Sequence, residues 1–288
     1  MEISVQHHFA KINGIHLHYV SKGEGELVIL LHGFPEFWYS WRHQIEFLSK
    51  DFKVVALDMR GYNESDKPRG VANYRSELLT SDVDQLIQHL GYEKANIIGH
   101  DWGGAVSWNF AHYYPHRVNR IAVLNCPHPW LFKKNFTFRQ FLRSWYTFYF
   151  QIPWLPETLI RLLLKSFLRF AFQHYAKNKN AFTDADINRY AEALRKPYSI
   201  AAGIHYYRAA NNRLNTRGMK PVKQIESPAL LIWALNDHAL DISMTKNHPP
   251  LFKNYFEIKF IPHCSHWVQN DRPDTVNEML GEFLKTKF

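Results

Sequence analysis

The sequence predicts an α/β fold, a mostly parallel twisted sheet with helices on both faces and a helical segment inserted over one end. Three observations predict it. Short runs that are apolar throughout recur along the chain, as strands covered on both faces require. Helix-compatible stretches alternate with them, which implies parallel strands joined by crossover helices. The alternation stops between Pro127 and about Arg217, where the chain turns helical and aromatic, and restarts at Ser227-Pro228.

Taken in order, residues 3–12 and 15–20 read as strands of a hairpin around Asn13-Gly14, a pair suited to a two-residue turn. After the turn at Gly23–Gly25, further strands are predicted at 27–31, 53–57, 96–98, 120–124, 229–234 and 257–261. Helices are predicted at 38–49, 76–90, 105–114, 244–252 and 273–285. Residues 1–127 and 218–288 would form the core, with 128–217 as a helical cap (lid). An insertion there sits at the carboxyl ends of the strands, where such sheets bind ligands.

The 288 residues suffice for one such core plus an insertion, and 46% hydrophobic content excludes a disordered chain. Cys126 and Cys264 are too few for a disulfide framework. With no signal peptide at Met1-Glu2-Ile3-Ser4, both read as reduced thiols of a soluble, cytoplasmic protein. No apolar run approaches a membrane span. The 35 Lys and Arg exceed the 26 Asp and Glu by nine. No nucleic-acid module accompanies that basicity, so a nucleic-acid partner is not expected. Lys133 to Phe172 is dense in aromatics and interspersed with Lys133, Lys134, Arg139, Arg143, Arg161, Lys165 and Arg169. It reads as a lid roofing a pocket, with contact to an anionic membrane surface as the alternative.

The chemistry centres on Gly99-His100-Asp101-Trp102-Gly103. A strand-to-helix turn framed by glycines lifts its central side chain above the sheet edge; here that residue is an aspartate where a serine would be usual. A carboxylate there can attack a strained or activated carbon and form an ester that water must hydrolyse. The competing role for such an aspartate is a helix N-cap. His32-Gly33-Phe34-Pro35-Glu36 follows the first buried strand, Asn236-Asp237 ends the strand at 229–234, and Cys264-Ser265-His266-Trp267 follows the last strand.

Together these segments resemble the α/β-hydrolase fold and, within it, the epoxide hydrolases with an aspartate nucleophile, over nearly the whole chain. The resemblance implies Asp101 as nucleophile, His266 as the base for the hydrolytic water and Asp237 as the acid orienting it. Asp241 is the alternative acid and His263 the nearest competing histidine. Backbone N–H groups of Phe34 and Trp102 would form the oxyanion hole, and a cis bond is expected before Pro35. Asp58 resembles a structural motif of the family, and Asn63 stands where the family usually has glycine. Tyr149, in Tyr149-Phe150-Gln151, and Tyr207, in Tyr207-Arg208, match the cap tyrosines that polarise the epoxide oxygen. Tyr146 and Tyr206 are the alternatives by register. Phe34, Trp102, Tyr149, Tyr207 and Trp267 are expected to bind substrate.

The implied reaction converts a small hydrophobic epoxide and water to a vicinal diol, with no cofactor and no metal, in a monomer or homodimer. The alternatives are a haloalkane or haloacid dehalogenase using Asp101, or a non-catalytic ligand-binding or membrane-associated relative. Phe34 stands where haloalkane dehalogenases usually carry Asn, and Trp102 where fluoroacetate-type dehalogenases tend to carry Arg, although the Trp102 indole N–H could still bind a halide; Asp101 excludes a serine esterase.

Overall fold

In the computed structural model, which describes residues 3–211 and 224–288, β1 (Gln6–Ile12) and β2 (Ile15–Lys22) pair antiparallel. Their turn holds Asn13 and Gly14 at φ 49° and 76°, the left-handed pair whose twist matches its strands. Then come β3 (Leu27–Leu31), β4 (Lys53–Leu57), β5 (Ala95–His100), β6 (Val118–Leu124), β7 (Ala229–Ala234) and β8 (Phe256–Ile261). The sheet order is β1-β2-β4-β3-β5-β6-β7-β8, parallel from β4 onward. Every residue of β3 and β7 is buried, which is why neither strand shows polar alternation.

The chain leaves β3 for β4 on one side, and β5 to β8 build outward on the other. The carboxyl ends of β3 and β5 therefore flank a topological switch point, where an open α/β sheet leaves a crevice. Helices α1 (Arg42–Leu48), α2 (Ser76–His89) and α3 (Trp102–Tyr113) belong to the core. Between β6 and β7 the described chain is helical: α4 (Pro129–Lys134), α5 (Phe138–Arg143), α6 (Trp145–Tyr149), α7 (Leu155–Leu162), α8 (Leu164–Leu168), a π-helical turn (Arg169–His174), α9 (Asp184–Arg195) and α10 (Ser199–Asn211). The core closes with α11 (Val268–Asp271) and α12 (Pro273–Lys285).

Polar side chains pin this helical insertion to the core. Asp186 completes a capping box with Thr183 at the start of α9 and accepts a 2.8 Å hydrogen bond from the Tyr39 hydroxyl. The Tyr206 hydroxyl donates to the Arg60 carbonyl at 2.8 Å, and the Trp267 indole to that of Ala171 at 2.6 Å.

The strands expected at 27–31, 53–57 and 229–234 and the helix at 273–285 lie where predicted. The first strand starts later, at Gln6. The helix expected at 244–252 does not form. Two 3₁₀ turns, Ile242–Thr245 and Pro249–Leu251, take its place, because Pro249 and Pro250 donate no N–H to a continuing ladder. The expected cap boundary at 217/218 falls outside the described residues.

Candidate active site

Asp101 sits between β5 and α3 at φ 51° and ψ −119° and makes no side-chain cap to the helix. The N-cap role is thus not the one it fills; the strained turn instead points its carboxylate into the crevice. Glycine is required around it by close approach. A Cβ on Gly33 would lie 2.5 Å from the Asp101 Cβ, and one on Gly103 would lie 2.0 Å from the Leu31 carbonyl oxygen.

The Phe34 amide donates to Asp101 Oδ1 at 3.0 Å, and His266 Nε2 lies 3.5 Å from Oδ2. The Phe34–Pro35 bond is cis. On its other side His266 presents Nδ1 to Asp237 Oδ2 at 2.7 Å. Asp237 is fully committed: Asn125 Nδ2 donates to Oδ2 at 2.6 Å, and the amides of Ala239 and Leu240 donate to Oδ1 at 2.7 and 2.8 Å. Asp241 instead caps the following turn through the Ser243 amide and pairs with Arg143 at 3.4 Å. His263 is exposed and offers only its carbonyl, to Arg272.

Three ionisable groups in line set the electrostatics. Burial disfavours a charged His266, but the carboxylates of Asp237 and Asp101 outweigh it and raise its pKa to about 10. Burial likewise opposes ionisation of Asp237, whose pKa the His266 cation nevertheless lowers to about 2. Asp101, also penalised by burial, is held below the usual carboxylate range by His266 and by the Phe34 amide. The directions of these shifts favour carboxylate, imidazolium, carboxylate at rest.

A cavity of about 580 Å³ opens above Asp101, walled by Phe34, His266 and Trp267 from the core and by aromatic and aliphatic side chains of α5 to α8 and α10. Tyr207 is buried in its roof, its pKa pushed well up by burial and then by the Asp101 charge. The second tyrosine there is Tyr146, and the placement expected for Tyr149 is corrected. The Tyr146 ring lies 5.9 Å from that of Tyr207, and burial followed by the Asp101 charge raises its pKa. Tyr149, one turn later, lines the cavity farther out, and among the described residues the charge that acts on it is that of Glu157. Tyr206 is spent on the Arg60 carbonyl. Arg208 fixes the end of α6 by donating to the carbonyls of Phe150 and Ile152 and pairing with Glu157.

Phe34 and Trp267 line the cavity as expected, whereas the Trp102 ring stands behind Tyr207, 4.9 Å away and edge-on, outside the wall. Asp58 is structural, accepting from the Trp38 amide, His18 and Asn63; Asn63 takes φ 41° where glycine is usual. Cys126 and Cys264 are buried free thiols.

Several contributors were not foreseen. Glu36 accepts from the Gly33 amide, His100 and Gln269, and His100 also reaches the His266 carbonyl at 2.8 Å. This buried set fixes the first loop against the histidine loop. His238 lines the cavity, stacked on Tyr175 with 3.5 Å between ring centroids. Burial lowers its pKa to about 3, so it stays neutral beside His266. The sequence carried a signal for Glu36, which closes the His-Gly-Phe-Pro-Glu motif, and for Asn125, the unforeseen donor to Asp237, a polar residue at the end of an apolar strand.

The family model of the alpha/beta hydrolase fold matches residues 26–273. The chain is 37% identical to human epoxide hydrolase 4 over 96% of its own length and 77% of that protein's. It is 38% identical to epoxide hydrolase 1 of Caenorhabditis elegans, over 96% and 69% of the two chains. Among solved structures, epoxide hydrolase A of Mycobacterium thermoresistibile superposes with a TM-score of 0.87 at 28% identity, over 98% of both chains. A Bacillus megaterium epoxide hydrolase variant gives 0.88 at 31%, over 97% of this chain and 100% of that one. Sheet, elbow and histidine loop define an α/β hydrolase. Within that class, the chain belongs to the epoxide hydrolase family and is an enzyme of epoxide hydrolysis.

Proposed function

We propose that the reaction runs through a covalent ester on Asp101 and that the substrate is a hydrophobic epoxide. The observation that carries this is the carboxylate of Asp101, bound at one oxygen by the Phe34 amide, paired at the other with His266, and roofed by two buried phenols.

Asp101 attacks an epoxide carbon while Tyr146 and Tyr207 hydrogen-bond the ring oxygen. The carbon–oxygen bond breaks, and one phenol gives its proton to the alkoxide. The Asp101 oxygen held by Phe34 becomes the ester carbonyl. With the Asp101 charge gone, His266 keeps only Asp237 as counter-ion, its affinity for a proton falls, and its proton passes, directly or through solvent, to the phenolate. Neutral His266 then takes a proton from water, and the hydroxide adds to the ester carbon. The Phe34 amide, joined by that of Trp102 at the start of α3, stabilises the oxyanion. Collapse releases the diol and restores the carboxylate. No step draws on a metal, and among the described residues no group of three His, Cys, Asp or Glu could hold one.

The experiment is mass spectrometry of His266→Gln after incubation with an aryl epoxide, beside Asp101→Ala. His266→Gln should retain a covalent adduct on the peptide bearing Asp101, and Asp101→Ala should form neither adduct nor diol. Normal turnover by His266→Gln would remove that residue from the mechanism. A hydrophobic substrate fits a cavity walled by Phe34, Phe150, Phe167 and Trp267.

A further inference from the structure

The chain's positive charge is concentrated in one segment. Residues 128–183 carry nine Lys and Arg against one carboxylate, Glu157, a net +8; the rest of the chain has 26 against 25. Glu157 is itself spent on Arg208 at 2.5 Å. Lys133, Lys134, Arg161 and Lys165 are exposed, and among the described residues no carboxylate lies within ion-pair distance of them.

The same segment exposes its large apolar side chains. Phe138 is 76% exposed, Trp154 76% and Leu162 73%, and Phe141, Trp145 and Phe148 are exposed beside them. Phe138, Phe141 and Phe148 run on from one another with ring centroids 6.3 and 5.5 Å apart. Leu142, Trp145, Leu159, Leu163 and Phe170 are exposed and also line the Asp101 cavity. Part of the apolar surface thus rims the active-site mouth. A face this apolar costs free energy in water and marks an interaction surface.

We infer that this face of α4 to α8 docks on an anionic phospholipid bilayer and that the active-site mouth opens there to receive epoxides dissolved in the lipid. Charge selects this occupant. A second copy would bring +8 against +8, and a polyanion such as nucleic acid gives leucines 142, 159, 162 and 163 nothing to bury against. A bilayer offers both acyl chains for the Trp, Phe and Leu side chains and negative headgroups for the Lys and Arg around them. Among the described residues no helix is long and apolar enough to cross a membrane. Docking is independent of the chemistry assigned to Asp101; only the entry route of the substrate rests on it.

The test is co-sedimentation of the full chain with phosphatidylcholine vesicles, with and without roughly one-third phosphatidylserine, at near-physiological salt. Binding to the anionic vesicles and little to the neutral ones is expected. Lys133→Gln/Lys134→Gln/Lys165→Gln should weaken it about a hundredfold, at about fivefold per charge. Phe138→Gln/Trp154→Gln/Leu162→Gln should weaken it at least tenfold. Both triple variants should hydrolyse a water-soluble epoxide like the wild type but lose rate on a long-chain epoxide presented in anionic vesicles. Absence of vesicle binding by a wild type active on the soluble epoxide would overturn docking and leave the chemistry standing. So would vesicle binding that both triple variants retain, or a concentration-dependent dimer that the apolar variant abolishes.

Discussion

Replacing Tyr146 and Tyr149 one at a time separates two residues three positions apart on α6. The Tyr146 hydroxyl is buried within the field of Asp101 and shares the roof with Tyr207, whose ring lies 5.9 Å away. Among the described residues, the charge acting on Tyr149 is that of Glu157. A hydrogen bond to an oxyanion developing out of contact with water contributes about 3 to 4 kcal/mol, or roughly 10² to 10³ in rate. Tyr146→Phe should therefore slow ester formation about a hundredfold, with Tyr207 still donating. Tyr149→Phe removes a hydroxyl at the outer wall and should stay within about twofold. The assay is single-turnover diol formation under rapid mixing, with enzyme in excess, which excludes product release from the measured rate. Both rings remain, so packing in the cavity changes little. If Tyr149→Phe lost the rate and Tyr146→Phe kept it, the assignment of the roof would be wrong.

His266 and Asp237 make opposite pH predictions. The pKa of His266 is raised, so its contribution to stability is complete below its unfolded value of about 6.5 and is lost as pH rises through about 10. The pKa of Asp237 is lowered, so its contribution is present above about 3.9 and is lost as pH falls through about 2. Urea unfolding should accordingly show the wild type's advantage over His266→Gln narrowing from pH 7 to 10, by up to about 1.4 kcal/mol per pH unit. A constant difference would mean that His266 rests neutral. Gly33→Ala places a methyl 2.6 Å from Asp101 Oδ1 and must displace the nucleophile. A shift of about 1 Å predicts a loss near a hundredfold in kcat/KM, checked by kinetics with circular dichroism to verify the fold; undiminished activity would show that the elbow yields.

The parts of the site fixed by chain order were legible in the sequence. Asp101 and Asp237 each follow a buried, largely apolar strand, His266 follows the alternating strand β8, and a parallel sheet delivers all three to one edge. What was not legible depends on rotation about a helix axis. Tyr146 and Tyr149 lie three residues apart among Trp145 and Phe148, so both fall on nearly the same side of α6. Which of them faces Asp101 is decided by the anchoring of Phe150 and Ile152 by Arg208, 58 and 56 residues away in sequence. Glu36, His100 and Gln269 converge only through tertiary contact, and no local pattern marks a buried polar set. The helix expected at 244–252 failed for a local reason that the adjacent prolines already displayed.

Under the proposed ester mechanism, the line of charges also explains how one histidine serves both halves of the reaction. In the resting enzyme His266 holds a proton because two carboxylates flank it. Epoxide opening needs one proton for the alkoxide, and a phenol supplies it at the point of bond breaking. The phenolate left behind, in a roof where burial opposes charge, must recover a proton. His266 becomes willing to release one at that same step, because esterification has removed the charge of Asp101. The proton stored on the imidazolium thus balances the one given to substrate, whether it travels directly or through solvent, and His266 is left neutral when a base is required. Taking a proton from the hydrolytic water returns it to the cation just as the Asp101 carboxylate reappears to pair with it. A histidine flanked by Asp237 alone would have to be neutral from the outset and would store nothing. In that mechanism the carboxylate nucleophile is also the switch that times the base.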